Sequence, residues 1–174
     1  MATLLVTHPS FVNHDTGPGH PERPDRMRAI DKVLAHDAFK ALVREEAPLR
    51  EDVEERILAA HPKAFLEDIR AIATAPIAGT RHIDGDTVIS KGSWEAALRA
   101  VGAGLHAVDA VMSGRAANAF CQVRPPGHHA EADRAMGFCL FSNAAIAGLY
   151  ARAKHGAERI AVVDRKSTRL NSSH

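Results

Sequence analysis

The sequence holds only two cysteines, Cys121 and Cys139, among its 174 residues. That is too few for a disulfide framework, and their spacing suits neither a zinc knuckle nor a redox pair. A reducing, cytoplasmic compartment is the expectation. Charge of one sign is also missing: 22 Lys and Arg against 21 Asp and Glu leave a formal net charge of +1. So balanced a chain has no field to draw in nucleic acid or a membrane surface, and neither is expected as a partner. No run approaches the roughly 20 apolar residues of a spanning helix. Met1 to Val6 lacks the basic and long apolar segments of a signal peptide.

What remains is ordinary globular composition, 45% apolar and 25% charged, in a chain long enough for one compact domain. Histidine is the exception, with eleven residues, two of them adjacent at His128 and His129.

Hydrophobic patterning alternates strand and helix. Leu4-Leu5-Val6 reads as a first buried strand, followed by an irregular loop from Thr7 to Pro24 crowded with Pro, Gly and His. Met27, Ile30, Val33 and Leu34 share one face of a helix over 25–34, and 38–43 could add a further helical turn or two. Two amphipathic helices over 53–60 and 62–73 follow, the second opened by Pro62. The acidic, turn-rich stretch His82 to Thr87 is placed in a loop, and Ser93 is placed as the cap of a helix running to Met112. Gly102 and Gly104 inside that helix suggest tight packing against a sheet. Strands are expected over 118–123 and 159–163, separated by a helix over 143–155. The order implies an α/β fold with a parallel sheet flanked by helices.

The second strand leads into Arg124-Pro125-Pro126-Gly127-His128-His129. Neighbouring side chains of an extended chain point apart, so both histidines serve one cavity only if the prolines and Gly127 bend the backbone. Paired imidazoles suit proton transfer near neutral pH, because one can be neutral while the other is charged. An isolated doublet of this kind also reads as two surface histidines in a loop.

The stretch from Arg124 to Glu131, followed by Met136-Gly137-Phe138-Cys139-Leu140-Phe141-Ser142-Asn143, resembles the active-site signature of the histone deacetylase family. The likeness is greatest to class II enzymes and to bacterial deacetylase-like and acetylpolyamine deacetylase relatives. It runs from about Thr7 to Val163 and includes Gly19-His20-Pro21-Glu22-Arg23-Pro24-Asp25-Arg26 and Asp84-Gly85-Asp86-Thr87. The resemblance implies part of an arginase/deacetylase-type fold. It implies that His128 and His129 are the tandem catalytic histidines, with His129 as general base and then acid, and His128 as its electrostatic partner. Gly137 and Phe138 would line a narrow tunnel for the acyl-lysine stem, though Phe138 alone could equally be core. Asp86, or else Asp84, would be the rim aspartate that holds substrate backbone, against a simple turn-forming role. Arg26 would face an internal channel for acetate, against a helix-surface role, and His20 would border the tunnel mouth, against a structural loop role. His8, His14, His36, His61 and His155 read as ordinary surface or loop residues.

The resemblance also implies Zn2+ in the parent protein, with acetylated lysine or polyamine as substrate. The family's zinc-ligand motif, Asp-x-Asp-x-His-His, follows the strand matching 160–163 and does not occur here, so no metal ligand is assigned. Asp164 stands where the family has an aspartate orienting the first tandem histidine. Residues 164–174 are polar and without periodicity, and they read as the translation of a sequencing adapter, so the expected division is a native deacetylase part over 1–163 and a non-native tail. The fragment as written is expected to be inactive and truncated in its sheet. The competing readings are a non-catalytic acyl-lysine-binding module and a pseudo-enzyme scaffold.

Overall fold

The computed structural model describes residues 2–76 and 78–164. Its centre is β1, Thr3–Thr7, whose Leu4, Leu5 and Val6 are all buried. A strand without apolar–polar alternation is one covered on both faces, as parallel strands are. β1 pairs in parallel with β2, Val43–Glu46, on one side and with β5, Asn118–Cys121, on the other, so that Leu4 lies opposite both Val43 and Ala119. The sheet order is β2-β1-β5. A second, antiparallel pair, β3 (Thr80–His82) with β4 (Val88–Ser90), forms a hairpin that presents Asp84 to Asp86 at its turn.

Among the described residues five α-helices accompany the strands: α1 Asp25–Leu34, α2 Val53–Leu58, α3 Lys63–Thr74, α4 Ser93–Met112 and α5 Asn143–His155. α4 is buried on two sides. Ala96, Ala100, Ala103 and Ala110 pack with Leu4, Val6, Phe11 and Met27 beneath the sheet. Leu98, Val101 and Leu105 join Ile57 of α2, Leu66 and Ile69 of α3, and Ile146 of α5 in a second cluster. Alanine on the sheet side lets the helix axis lie close, while the larger residues fill the wider gap between helices.

Several expectations are corrected. Residues 38–43 do not extend a helix: a short 3-10 turn, Asp37–Phe39, gives way to β2. β2 reads Val-Arg-Glu-Glu because it is paired on one side only and is largely exposed. The loop after β1 contains a 3-10 turn at Pro9–Asn13. Gly92, not Ser93, is the helix cap, and the Ser93 hydroxyl instead accepts from the Ser90 N–H at 2.8 Å. The close approach at Gly102 is to the carbonyl of Pro48 rather than to the sheet. The expected strand over 159–163 does not form. Residues 156–164 carry no regular structure, and Ile160, Val162 and Val163 are 43%, 66% and 82% exposed. A strand needs a backbone partner, and among the described residues this segment pairs with neither edge strand of the sheet, β2 or β5.

Candidate active site

β1 and β5 run in the same direction, and the loops leaving their carboxyl ends meet, with the Thr7 hydroxyl donating to the Gln122 carbonyl at 3.1 Å. In parallel sheets this is the edge at which ligands bind. The junction is locked by a buried ion pair. Arg124 donates to both carboxylate oxygens of Glu22, Nε at 2.6 Å and Nη2 at 2.7 Å, and its Nη1 donates to the Phe11 carbonyl at 2.9 Å. Both side chains are almost wholly buried. His14 lies against the same carboxylate, 3.6 Å from Glu22 Oε2, and its Nδ1 meets the Ser93 hydroxyl at 2.7 Å. Burial foremost, then the positive fields of Arg124 and His20, push its pKa down to about 3. His14 is therefore neutral near pH 7, and its approach to Glu22 is not a second charged pair. It is not the surface residue that its loop context suggested.

Beyond Arg124 the chain bends under the start of α5. The Gly127 carbonyl accepts from the Ala144 N–H at 3.0 Å, and a Cβ on Gly127 would lie 2.2 Å from Asn143 Cγ. Only glycine fits, and the bend brings the rings of His128 and His129 together, 4.1 Å between centroids and 74° between planes. The two face different spaces. His128 lines a cavity with Ser142, Ala144, Val162 and Asp164, and its Nδ1 is 3.7 Å from Asp164 Oδ2. His129 faces a cleft lined also by Asp84, Gly85, Asp86, Met136, Gly137 and Phe138.

The wall of that cleft is a tight turn closed by two backbone bonds between Met136 and Cys139. Gly137 and Phe138 both adopt positive φ, +58° and +69°. For a bulky residue such as Phe138 this conformation costs on the order of 1–3 kcal/mol and persists only where neighbours enforce it. One enforcing contact is visible: the Phe138 N–H donates to the hydroxyl of buried Thr87 at 3.2 Å. The half-buried Phe138 ring meets His20 edge to face, 5.0 Å between centroids.

The two aspartates of the hairpin separate by their bonds. Asp84 Oδ1 accepts from the Asp86 N–H at 3.0 Å and the Thr87 N–H at 2.6 Å, the pattern of a turn-forming aspartate. Burial opposes its ionisation, but those backbone donors prevail and hold its pKa below the ordinary value. Asp86 is exposed at the rim, where its carbonyl receives a bond from His20 Nε2 at 3.0 Å. Because His20 Nδ1 accepts from the Glu22 N–H at 3.0 Å, the ring carries its proton on Nε2. The structure thus brings His129, Gly137, Phe138, Asp86 and His20 to one place.

Arg26 stands apart from them. It is half exposed, 3.8 Å from Glu22, and lines a cavity of about 200 Å3 between α1 and β5 with Gln122 and Pro126. Sequence reading missed Glu22, Arg124, Thr87 and His14 as parts of the site. The first three lie inside the motifs that marked it, so their signal was a charged or polar residue at a fixed place within a motif; His14 gave none.

Among the described residues, no group of three or more His, Cys, Asp or Glu is placed to hold a metal ion. No helix among them is long and apolar enough to cross a membrane. Residues 20–165 match the family model described as a histone deacetylase domain, and the chain belongs to that family. It is 39% identical to a histone deacetylase-like amidohydrolase of Pseudomonas aeruginosa over 88% of its own length and 40% of the relative's. It is 36% identical to the polyamine deacetylase HDAC10 of Homo sapiens over 94% of this chain and 25% of that one. Among solved structures it is similar to the HD domain of HDA15, with a TM-score of 0.77 and 31% identity, covering 88% of this chain and 44% of that chain. The chain thus spans less than half the length of each.

Proposed function

We propose that the parent protein is a zinc-dependent deacetylase that hydrolyses the N-acetyl amide of acetyl-lysine or an acetylpolyamine. The observation that carries this reading is the position of His129 in a cleft walled by Phe138 and rimmed by Asp86, with a second imidazole, His128, behind it. Hydrolysis of an amide needs a proton taken from water and a proton given to the leaving amine. His129 does both in turn, and His128, whose ring lies 4.1 Å from it between centroids, supports the charge that forms on its neighbour. Phe138 and Gly137 desolvate the methylene stem of the substrate, and Asp86 holds the substrate backbone at the mouth with His20 fixing the rim. Arg26, in its separate cavity, faces the exit of acetate.

Zinc would supply Lewis-acid activation of the carbonyl and of water. Among the described residues no group of three or more His, Cys, Asp or Glu is placed to hold it; in this reading the ligands are supplied by the rest of the parent protein and the fragment is inactive. Residues 164–174 are, in this reading, a non-native adapter-derived tail. Reading the source gene across the codon for Val163 by an adapter-free method tests both points. Continuation into Asp-x-Asp-x-His-His is the expected result. A frame that truly ends at His174 would favour a non-catalytic acyl-lysine-binding module or scaffold.

A further inference from the structure

His61 lies between α2 and α3, in a stretch that reads as ordinary loop, yet it is 2% exposed. Its Nδ1 is 2.7 Å from the Ala132 carbonyl, and its Nε2 receives the Ser142 N–H at 3.0 Å. A carbonyl only accepts and a backbone amide only donates, so the ring must carry its proton on Nδ1 and none on Nε2. It packs at a tilt against two aromatic neighbours, Phe65 at 5.0 Å and 31° and Phe141 at 5.8 Å and 58° between centroids and planes. The two backbone groups it joins bracket the segment 132–142. Inside that bracket, Met136 and Cys139 close the turn that carries Gly137 and Phe138. A buried neutral imidazole needs a partner at each nitrogen; here the two partners are the two ends of a single loop.

We propose that His61 is a positioning residue that clasps both ends of the 132–142 loop and so fixes Gly137 and Phe138 against His129. The functional consequence rests on the deacetylase reading of that cleft; the clasp itself does not. Burial lowers the pKa of His61, in keeping with a neutral ring whose Nε2 is free to accept. Protonation would turn a second N–H toward the Ser142 N–H and break the clasp at one end.

The test uses the 174-residue chain labelled with 15N. Ring-nitrogen spectra at pH 7 should show His61 wholly as the Nδ1–H tautomer; the Nε2–H form or a mixture would overturn the clasp. His61→Phe keeps the ring packing and removes both bonds. It should raise amide exchange at Phe138 and Cys139 by about tenfold or more while β1 and α4 stay within about twofold. His61→Gln, which offers one donor and one acceptor, should restore part of that protection. A rise spread evenly over the chain, a His61→Phe chain that does not fold, or a His61→Gln chain no better protected than His61→Phe would each show a packing residue and defeat the proposal. None of these readouts involves acetyl hydrolysis, so failure here leaves the deacetylase reading standing, and an inactive parent enzyme leaves the clasp standing.

Discussion

A methyl group placed on Gly137 would sit 2.7 Å from the Cβ of His129. The glycine of one motif is thus the packing surface of the histidine of the other. Gly137→Ala must push the imidazole aside and hold alanine at φ near +58°, a conformation that costs about 1 kcal/mol or slightly more. The expected outcome in the full-length enzyme is a fall in kcat/KM on the order of 100-fold, since a misplacement of about 1 Å can cost that much. The melting temperature should fall by only about 2–8 °C. A variant that keeps full activity would separate His129 from the chemistry.

The Glu22–Arg124 pair ties the loop after β1 to the strand that delivers the histidines. Glu22→Gln leaves the guanidinium buried without its counter-charge, which costs about 3–5 kcal/mol. Replacing both, as Glu22→Gln with Arg124→Met, removes the orphaned charge and should recover a substantial part of that loss. Urea unfolding of the two variants checks this, and a double variant no more stable than the single would contradict it.

His14 makes stability depend on pH. Its folded pKa, about 3, lies below the unfolded value of 6.5, so between those values the unfolded chain binds more protons. The contribution is fully present above pH 6.5 and is lost as pH falls toward 3, by up to about 1.4 kcal/mol per pH unit. His14→Gln should flatten the slope of unfolding free energy between pH 7 and 4. An unchanged slope would show that His14 is protonated in the fold, paired with Glu22 after all.

The two glycines of α4 should respond in opposite directions to the same substitution. At Gly104 an added Cβ meets only Ala147 Cβ at 3.5 Å and the Asn143 carbonyl at 3.9 Å, so Gly104→Ala should gain about 0.5–1 kcal/mol of helix stability. At Gly102 the same atom falls 2.2 Å from the Pro48 carbonyl oxygen, and Gly102→Ala should destabilise despite better helix propensity. Thermal unfolding of both decides it; equal gains would remove the close approach.

The helices were legible because their signals are local. α1 and α5 have the expected bounds, 25–34 and 143–155, and α1 buries Met27 and Leu34 of its expected apolar face while Val33 is 58% exposed. β2 was hidden because an edge strand shows its pairing in the backbone and not in its side chains. The apolar run 160–163 reads as a strand, but it pairs with no strand among the described residues and leaves Val162 and Val163 exposed. The tandem histidines and the Gly-Phe pair were visible as motifs. His14 and His61 were not, because what makes each one structural is a partner more than 70 residues away. A histidine's role is set by what surrounds it, and for these two nothing in the neighbouring sequence records that.

The most direct measurement of the central claim is acetate release by the full-length gene product from an acetyl-lysine peptide and from an N-acetylpolyamine, with and without His129→Ala. The account predicts hydrolysis of at least one substrate, lost on removal of zinc, restored by its return, and reduced by about 100-fold or more in the variant. Hydrolysis of neither substrate by a folded, zinc-loaded protein, or a His129→Ala enzyme as fast as the original, would contradict it.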